Sequence, residues 1–236
     1  MCAVTGLRGD AALVGFAEWP SERKFGGPRS FQVEQWAEIA ATALADCGIA
    51  SSEVDGLITY DLRESKDFVP ATVAEYCGWE VNFAERMDLG GASAAGAVWR
   101  AAAAIELGLC NVVVCAVPSR PRPRPTNPKG PRMDWGALGS SSMEWGSPQA
   151  EFDVPHGNVA QNAGYAMIAQ RYAAEFGWDE RALAKIAADQ RRSANATPNA
   201  VFRDVPITID DVLASKVVAD PIHVLEIVMP CQGGTA

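Results

Sequence analysis

Short apolar runs along this chain alternate with stretches of helical spacing or alanine-rich sequence, and each change marks an element. Residues 11–17 are a short apolar run that predicts a strand, followed by a polar loop with glycine and proline through Pro28. Residues 33–47 place Val33, Trp36, Ala37, Ala40, Ala41 and Leu44 at helical spacing, with Gly48 where a C-terminal cap belongs. Residues 54–60 read as a strand, and 70–77 as a second helix with Pro70 at its start. The strongest pattern covers 87–117. A glycine-rich turn over 87–91 leads into an alanine-rich helix ending at Leu107, Gly108 interrupts it, and 111–117 is an apolar run expected as a buried strand. Strands alternating with helices across short turns predict an α/β fold with a mostly parallel, covered sheet. A helix so rich in Ala, Gly and Ser can lie close to neighbouring backbone, and tight packing alone accounts for that composition.

The pattern changes after Val117. Residues 118–132 are dense in proline and carry Arg120, Arg122, Arg124, Lys129 and Arg132. Proline removes donors and fixes φ, so this stretch forms neither a central strand nor a helix. A glycine- and serine-bearing loop with Trp135 and Trp145 follows. Helices are then predicted over 158–176 and 179–195, the first ending at Gly177, and a short one over 210–215. Gly233, Gly234, Thr235 and Ala236 read as the approach to another buried strand. Two readings follow: a flexible terminus, or a chain that is one part of a longer protein.

Composition narrows the function classes. The net charge of −9 and pI near 4.8 argue against nucleic acid as a partner, which requires clustered Lys and Arg. The most apolar long stretch, 90–109, is interrupted by Arg100 and Glu106, so no membrane span is expected, and the first twenty residues lack the pattern of a secretory signal. The six cysteines include no C-x-x-C pair and the chain has only two histidines, so no metal site is expected. Scattered single cysteines suit a reducing cytoplasm. Neither a Walker A pattern nor a G-x-G-x-x-G after a strand is present.

Several segments, in order, resemble the thiolase superfamily, and most of all its sterol-carrier-linked and lipid-transfer-protein branch, which includes steroid side-chain aldolases. They are Leu13 to Phe16, Ala43 to Ile49 followed by Val54 to Leu57, and the glycine turn with its alanine helix from Leu89 to Leu107. Downstream come Pro155, His156 and Gly157, then Tyr172 with Phe176 and Gly177, then Ser193 to Ala200 with Phe202 and Arg203. Pro206 to Thr208 and Ala219 to Pro221 complete the set. The resemblance implies two similar halves stacked in layers, with a loop domain inserted in the first. This chain would then supply the thiolase-like first half from 1–117 and 216–236, layered α-β-α, and an inserted helical loop domain over 118–215. The second half, with its His-containing and second cysteine motifs, is not represented.

The same resemblance carries the site expectations. A thiolase nucleophile is a cysteine just before the buried helix of the first half, where amide groups and the helix dipole favour the thiolate. The matching position falls at Gly91, which offers no nucleophile, and Gly90 and Ser93 flank it at a CoA or substrate-binding site. Ser93 reads more readily as a packing or backbone-bonding residue, and Cys110, Cys115 and Cys231 as inert. His156 is a candidate donor or general base, alternatively a loop residue bonded to backbone, and His223 reads as structural. Arg120 and Arg122 could meet coenzyme A phosphates, or lie on a solvated or partner-binding ribbon. Aldolases of this type share the glycine, cleave a β-hydroxyacyl-CoA by a retro-aldol step with tyrosines largely from the second half, and work with an acyl-CoA-binding partner of OB type. The resemblance therefore implies acyl-CoA as substrate, no bound cofactor and a homodimer when complete. Two classes stay open: a retro-aldolase or acyltransferase homologue, and a non-catalytic acyl-CoA-binding or assembly subunit.

Overall fold

A computed structural model of the chain describes residues 7, 9–65, 67–124 and 145–236. Lys129, Arg132 and Trp135 lie outside the described residues. The chain divides into two compact units, Met1–Arg124 with Cys231–Ala236, and Pro125–Pro230.

The first unit is built on two three-stranded sheets, one parallel and one antiparallel. Its elements are β1 (Glu18–Glu22), α1 (Gln32–Cys47), β2 (Gly56–Thr59), α2 (Val69–Cys77), β3 (Phe83–Arg86), α3 (Ser93–Glu106), β4 (Val113–Cys115) and β5 (Val117–Pro118). Strand β2 pairs in parallel with β3 on one side and β4 on the other. The last strand of the chain, β8 (Gln232–Thr235), runs antiparallel between β1 and β5. Only Ala116, fully buried, separates β4 from β5, so one chain segment joins the parallel and antiparallel ladders.

The period-two alternation of the strands sorts their side chains into two cores. Leu57 and Val114 point to α1 and α2, joining Trp36, Ile39, Ala40 and Val73. Ile58 points the other way, to Met87 and to Ala97 of α3, with Val113 and Cys115 packed alongside. The layering is helix, sheet, helix. Gln35 is fully buried on α1 and fully paired: its amide donates to Ser30 O (2.8 Å) and Arg120 O (3.2 Å), and its carbonyl accepts from Arg120 N (3.0 Å). That satisfies a polar group which would otherwise cost free energy in the core.

The strand expected over 11–17 forms further along, at β1. Residues 11–16 stay outside the ladder, and Ala17 begins it by exchanging backbone bonds with Ala236 (2.9 and 3.0 Å). Most of the apolar run is exposed, with only Ala17 buried, and the position of β8 decided which residues became strand. Gly48, at φ 73, closes α1 as its position predicted.

The second unit is helical in the main. Two short helical turns, Gln149–Asp153 and Val154–His156, precede α4 (Gln161–Phe176), α5 (Glu180–Ala196) and α6 (Ile209–Ala214). A small hairpin of β6 (Val217–Ala219) and β7 (Ile222–His223) follows. Thr208 caps α6 by accepting from Asp211 N (3.1 Å), while the Asp211 carboxylate accepts from Thr208 N (2.8 Å), a reciprocal cap visible in the sequence spacing. Among the described residues no helix is long and apolar enough to cross a membrane.

One carboxylate ties the start of β2 to the start of β4. Asp55 accepts from Val112 N (2.8 Å), Asn111 N (2.8 Å) and Asn111 Nδ2 (2.9 Å). Burial alone would raise this carboxyl, but the bonds from Val112 and Asn111 outweigh it and hold the group below its ordinary value. A lowered folded pKa contributes stability above the unfolded value of about 3.9, which is lost as pH falls through the folded one. Replacing Asp55→Ala is expected to cost about 1.5–3 kcal/mol at pH 7 in urea denaturation. The gap from wild type should narrow as pH falls below about 4, and a gap independent of pH would show that the carboxylate is not the source.

Candidate functional site

Parallel strands deliver loop residues at their carboxyl ends, and β2 and β3 do so side by side. Tyr60 and Asp61 follow β2, and Met87 and Asp88 follow β3. The chain then makes a single 3₁₀ turn, Gly90–Ala92, into α3. All of these except Ala92, with Ser93, Ala94 and Val117, line a cavity of about 320 Å³. It is the mouth of the candidate site.

The turn is held by Ser93, which is buried: its hydroxyl donates to Gly90 O (2.7 Å) and accepts from Leu89 N (2.8 Å). Asp88 accepts from Gly90 N (3.3 Å). Gly91 thereby stands just before the N-terminal end of a 14-residue helix, where amide donors and the dipole favour a negative or carbonyl oxygen. Gly90 has φ 55, which a side chain would strain, whereas Gly91 has no positive φ and open space where a Cβ would stand. Nothing steric therefore requires glycine at 91. Asp61 is paired with Arg86 (2.6 Å) across the exposed rim, a bond of small energetic weight.

Beside the mouth lies a larger chamber of about 400 Å³, between α3, the sheet and residues 11–16. Its walls are mostly apolar, among them Val98, Ile105 and Val113. Tyr60, Ala94 and Val117 line both cavities and so form the partition between them. The Tyr60 hydroxyl is buried and unpartnered. Burial, with a smaller repulsion from Cys115, pushes its pKa up to about 12. Burial likewise pushes Cys115 up to about 12 and Cys77 to about 11, and raises Cys110 with help from Asp55. These thiols stay protonated near neutral pH.

The structure thus brings Gly90, Gly91 and Ser93 together at the mouth. His156 ends a short turn in the other unit, exposed to solvent. Arg120 and Arg122 belong to the first unit but do not line the mouth. The Arg120 guanidinium lies 3.8 Å from the centre of the Trp19 ring and 3.7 Å from Glu38, and Arg122 meets Glu64 at 3.4 Å. His223 bonds Val212 O through Nδ1 (3.0 Å), in keeping with a structural role. Tyr60 is the residue that sequence reasoning passed over. Its place at the end of a buried strand was visible, but nothing in the sequence marks a hydroxyl without a partner.

The helix–sheet–helix layering of the first unit, with its mouth at the N-terminus of α3, belongs to a thiolase-like fold. No protein-family model matches this chain. Its sequence is similar to those of two curated steroid-cleaving enzymes. The chain is 31% identical over 233 residues to the steroid side-chain-cleaving aldolase of Thermomonospora curvata, covering 98% of this chain and 56% of that protein. It is 30% identical over 233 residues to the 17-hydroxy-3-oxo-4-pregnene-20-carboxyl-CoA lyase of Mycobacterium tuberculosis, covering 98% and 57%. The solved Ltp2-ChsH2(DUF35) aldolase superposes with a TM-score of 0.74 at 28% identity, over 95% of this chain and 53% of that one. A monomeric SCP2-thiolase like protein type 1 of Mycobacterium smegmatis shares the fold at a TM-score of 0.61 and 18% identity, over 94% and 43%. The chain spans about half the length of the curated relatives it matches, consistent with the N-terminal half of a thiolase-like fold.

The contrast between Gly90 and Gly91 gives a direct test. Gly91→Cys should fold with stability within about 0.5 kcal/mol of wild type, and Gly90→Ala should lose about 1 kcal/mol. The introduced thiol, beside the α3 amides, should be alkylated by iodoacetamide at pH 7 well before Cys110 or Cys115, as read by peptide mass mapping. Equal labelling of all three would contradict the assigned geometry of the mouth.

Proposed function

We propose that this chain forms the first half of a thiolase-like retro-aldolase that cleaves a carbon–carbon bond in a steroid acyl-CoA. One observation carries the reading: the mouth sits at the N-terminus of α3, where an acyl-cysteine enzyme needs its thiol, and Gly91 stands there with room for a side chain. A retro-aldol reaction needs no nucleophile at that point. It needs a base to take the β-hydroxyl proton, whereupon the Cα–Cβ electrons move onto the acyl fragment and the hydroxyl carbon becomes a ketone. The acyl enolate is then protonated. Names of the relatives support the class, since one is a side-chain-cleaving aldolase and another a carboxyl-CoA lyase.

Completion by further polypeptide is part of the proposal. Leu13, Val14, Phe16, Val98 and Trp99 are exposed, with Leu13 at 83%, an apolar surface that water covers poorly. The relatives' remaining length suits it as the covering layer, and would bring the catalytic base. An acyl-CoA-binding protein of OB type is the second proposed partner; the matched aldolase structure is named as a complex with a DUF35 protein. A homodimer in the cytoplasm, with 118–215 as the inserted loop domain, completes the reading. A non-catalytic acyl-CoA-binding role is the second reading, favoured by the lack of any thiol or imidazole among the residues lining the mouth.

The test is incubation with 17-hydroxy-3-oxo-4-pregnene-20-carboxyl-CoA, with and without the candidate second half and partner, followed by chromatography of the steroid. Cleavage between C17 and C20 would release a 17-ketone and propionyl-CoA in equal amounts. Binding without cleavage in the completed assembly would favour the second reading, and absence of binding would sink both.

A further inference from the structure

The chamber beside the mouth is bounded in a way that a pocket on the face of a sheet is not. Helix α1 closes it on one side with Ala43, Leu44 and Cys47, and α3 closes it on the other with Val98, Ala102 and Ile105. These two helices cover opposite faces of the sheet, so the chamber lies in the plane of the sheet itself. Its remaining walls are two stretches of chain, 11–16 and 112–115, and it ends against Thr235 and Ala236.

Backbone register accounts for this shape. Strand β8 lies between β1 and β5, with Thr235 opposite Glu18 on one side and Val117 on the other. Ala17 and Ala236 carry the first of these ladders one step further by exchanging both backbone bonds. Prolonged past Ala236, the line of β8 passes between Phe16, Gly15 and Val14 on one flank and Cys115, Val114 and Val113 on the other. Both flanks offer free edges there. Strand β4 is the edge of its sheet, paired to β2 alone among the described residues, and residues 11–15 make no backbone–backbone hydrogen bond among them. Carried back from Ala17, strand alternation turns the amides of Gly15 and Leu13 into the gap and that of Phe16 away from it. The Phe16 amide is indeed used elsewhere, donating to Asp46 Oδ2 (3.0 Å). Unpaired edges of this kind are templates for a further strand.

We infer that the chamber is the place of a β-strand from the polypeptide that completes the fold, laid in line with β8 and antiparallel to both flanks. Strand β4 and residues 11–16 then become its neighbours in one continuous sheet. The inference rests on completion by further polypeptide, as proposed above, and not on the reaction. The inserted strand is about as long as its flanks, 112–115 and 11–16. It is apolar on both faces, because α1 and α3 cover both, and free of proline, because the flanks need its donors. The two curated relatives have the length to supply it, since this chain spans 56% and 57% of them.

The experiment offers the chamber a strand and reads amide hydrogen exchange residue by residue. The full chain is extended after Ala236 by six alternating valines and isoleucines with lysines behind them for solubility, or by a glycine–serine run of equal length with the same lysines. The valine–isoleucine extension should slow exchange at Leu13 and Gly15 on the order of tenfold or more relative to the unextended chain, and the glycine–serine extension should not. In the extended chain Leu13→Pro removes a donor aimed into the gap and should cancel the protection at Gly15, whereas Val14→Pro removes one aimed away and should keep it. Exchange in β2 is followed alongside as the check on folding. No protection with valine–isoleucine, equal protection with glycine–serine, or loss in both proline variants while β2 stays protected overturns the inference. Protection already present in the unextended chain and rising with its concentration assigns the gap to a second copy, and protection brought by octanoyl-CoA alone assigns it to a ligand; either also overturns it. Steroid cleavage is read in its own assay, so the failure of one leaves the other standing.

Discussion

All four residues of β2 are buried, so water reaches this strand on neither face and each backbone group in it must be paired sideways. The pairing comes from β3 and β4, both parallel to it, and parallel neighbours can only be reached through crossovers. Those crossovers are α2 and α3 with their flanking loops. The alternation of Leu57 and Ile58 then assigns the helices to opposite faces, because each of the two side chains needs an apolar partner. Full burial of such a side chain stabilises by about 1.5–3 kcal/mol, enough for a few of them to fix the layer order. The position of the mouth follows from the same constraint. Loops leaving the carboxyl ends of β2 and β3 meet the start of α3, and Tyr60, Met87 and Gly91 arrive together although distant in sequence.

The two helical layers are not equally covered. The α1 and α2 layer closes over a core that includes Trp36, Ile39 and Val73 at no more than 1% exposure, with Trp36 edge-on to Trp79 at 5.6 Å. The α3 layer keeps Val98 and Trp99 in solvent at 43% and 57%. That asymmetry relates structure to function: the face left open carries the chamber and adjoins the mouth. Covering it would exclude water from both and strengthen any hydrogen bond made inside.

Much of this was legible from the chain. Helices α1 to α5 fell within a few residues of where the sequence placed them, α1 from its 3.6-residue apolar spacing and the Gly48 cap, α3 from its alanine-rich run between glycines. Gly90 and Gly91 could be located in the turn before α3 from the sequence order alone. Arginines 120 and 122 show the limit. Their charge and proline spacing suggested a solvated or phosphate-binding ribbon, whereas the Arg120 guanidinium is folded back onto Trp19 and Glu38 of its own unit. A cation over an aromatic face is a contact between residues about a hundred positions apart, and local pattern does not reach that far.

The sequence by itself determined the helices, their alternation with apolar strand segments, and the acidic charge. These depend on local periodicity and residue identity, which are properties of neighbours along the chain. Only the tertiary structure decided that the first strand forms beyond the first apolar run, because β1 exists where β8 offers it backbone partners. Only the tertiary structure left the Tyr60 hydroxyl buried without a bond, because satisfaction of a polar group depends on what the fold brings within about 3 Å of it. That distance is set by packing, and packing is settled only when all the layers are in place.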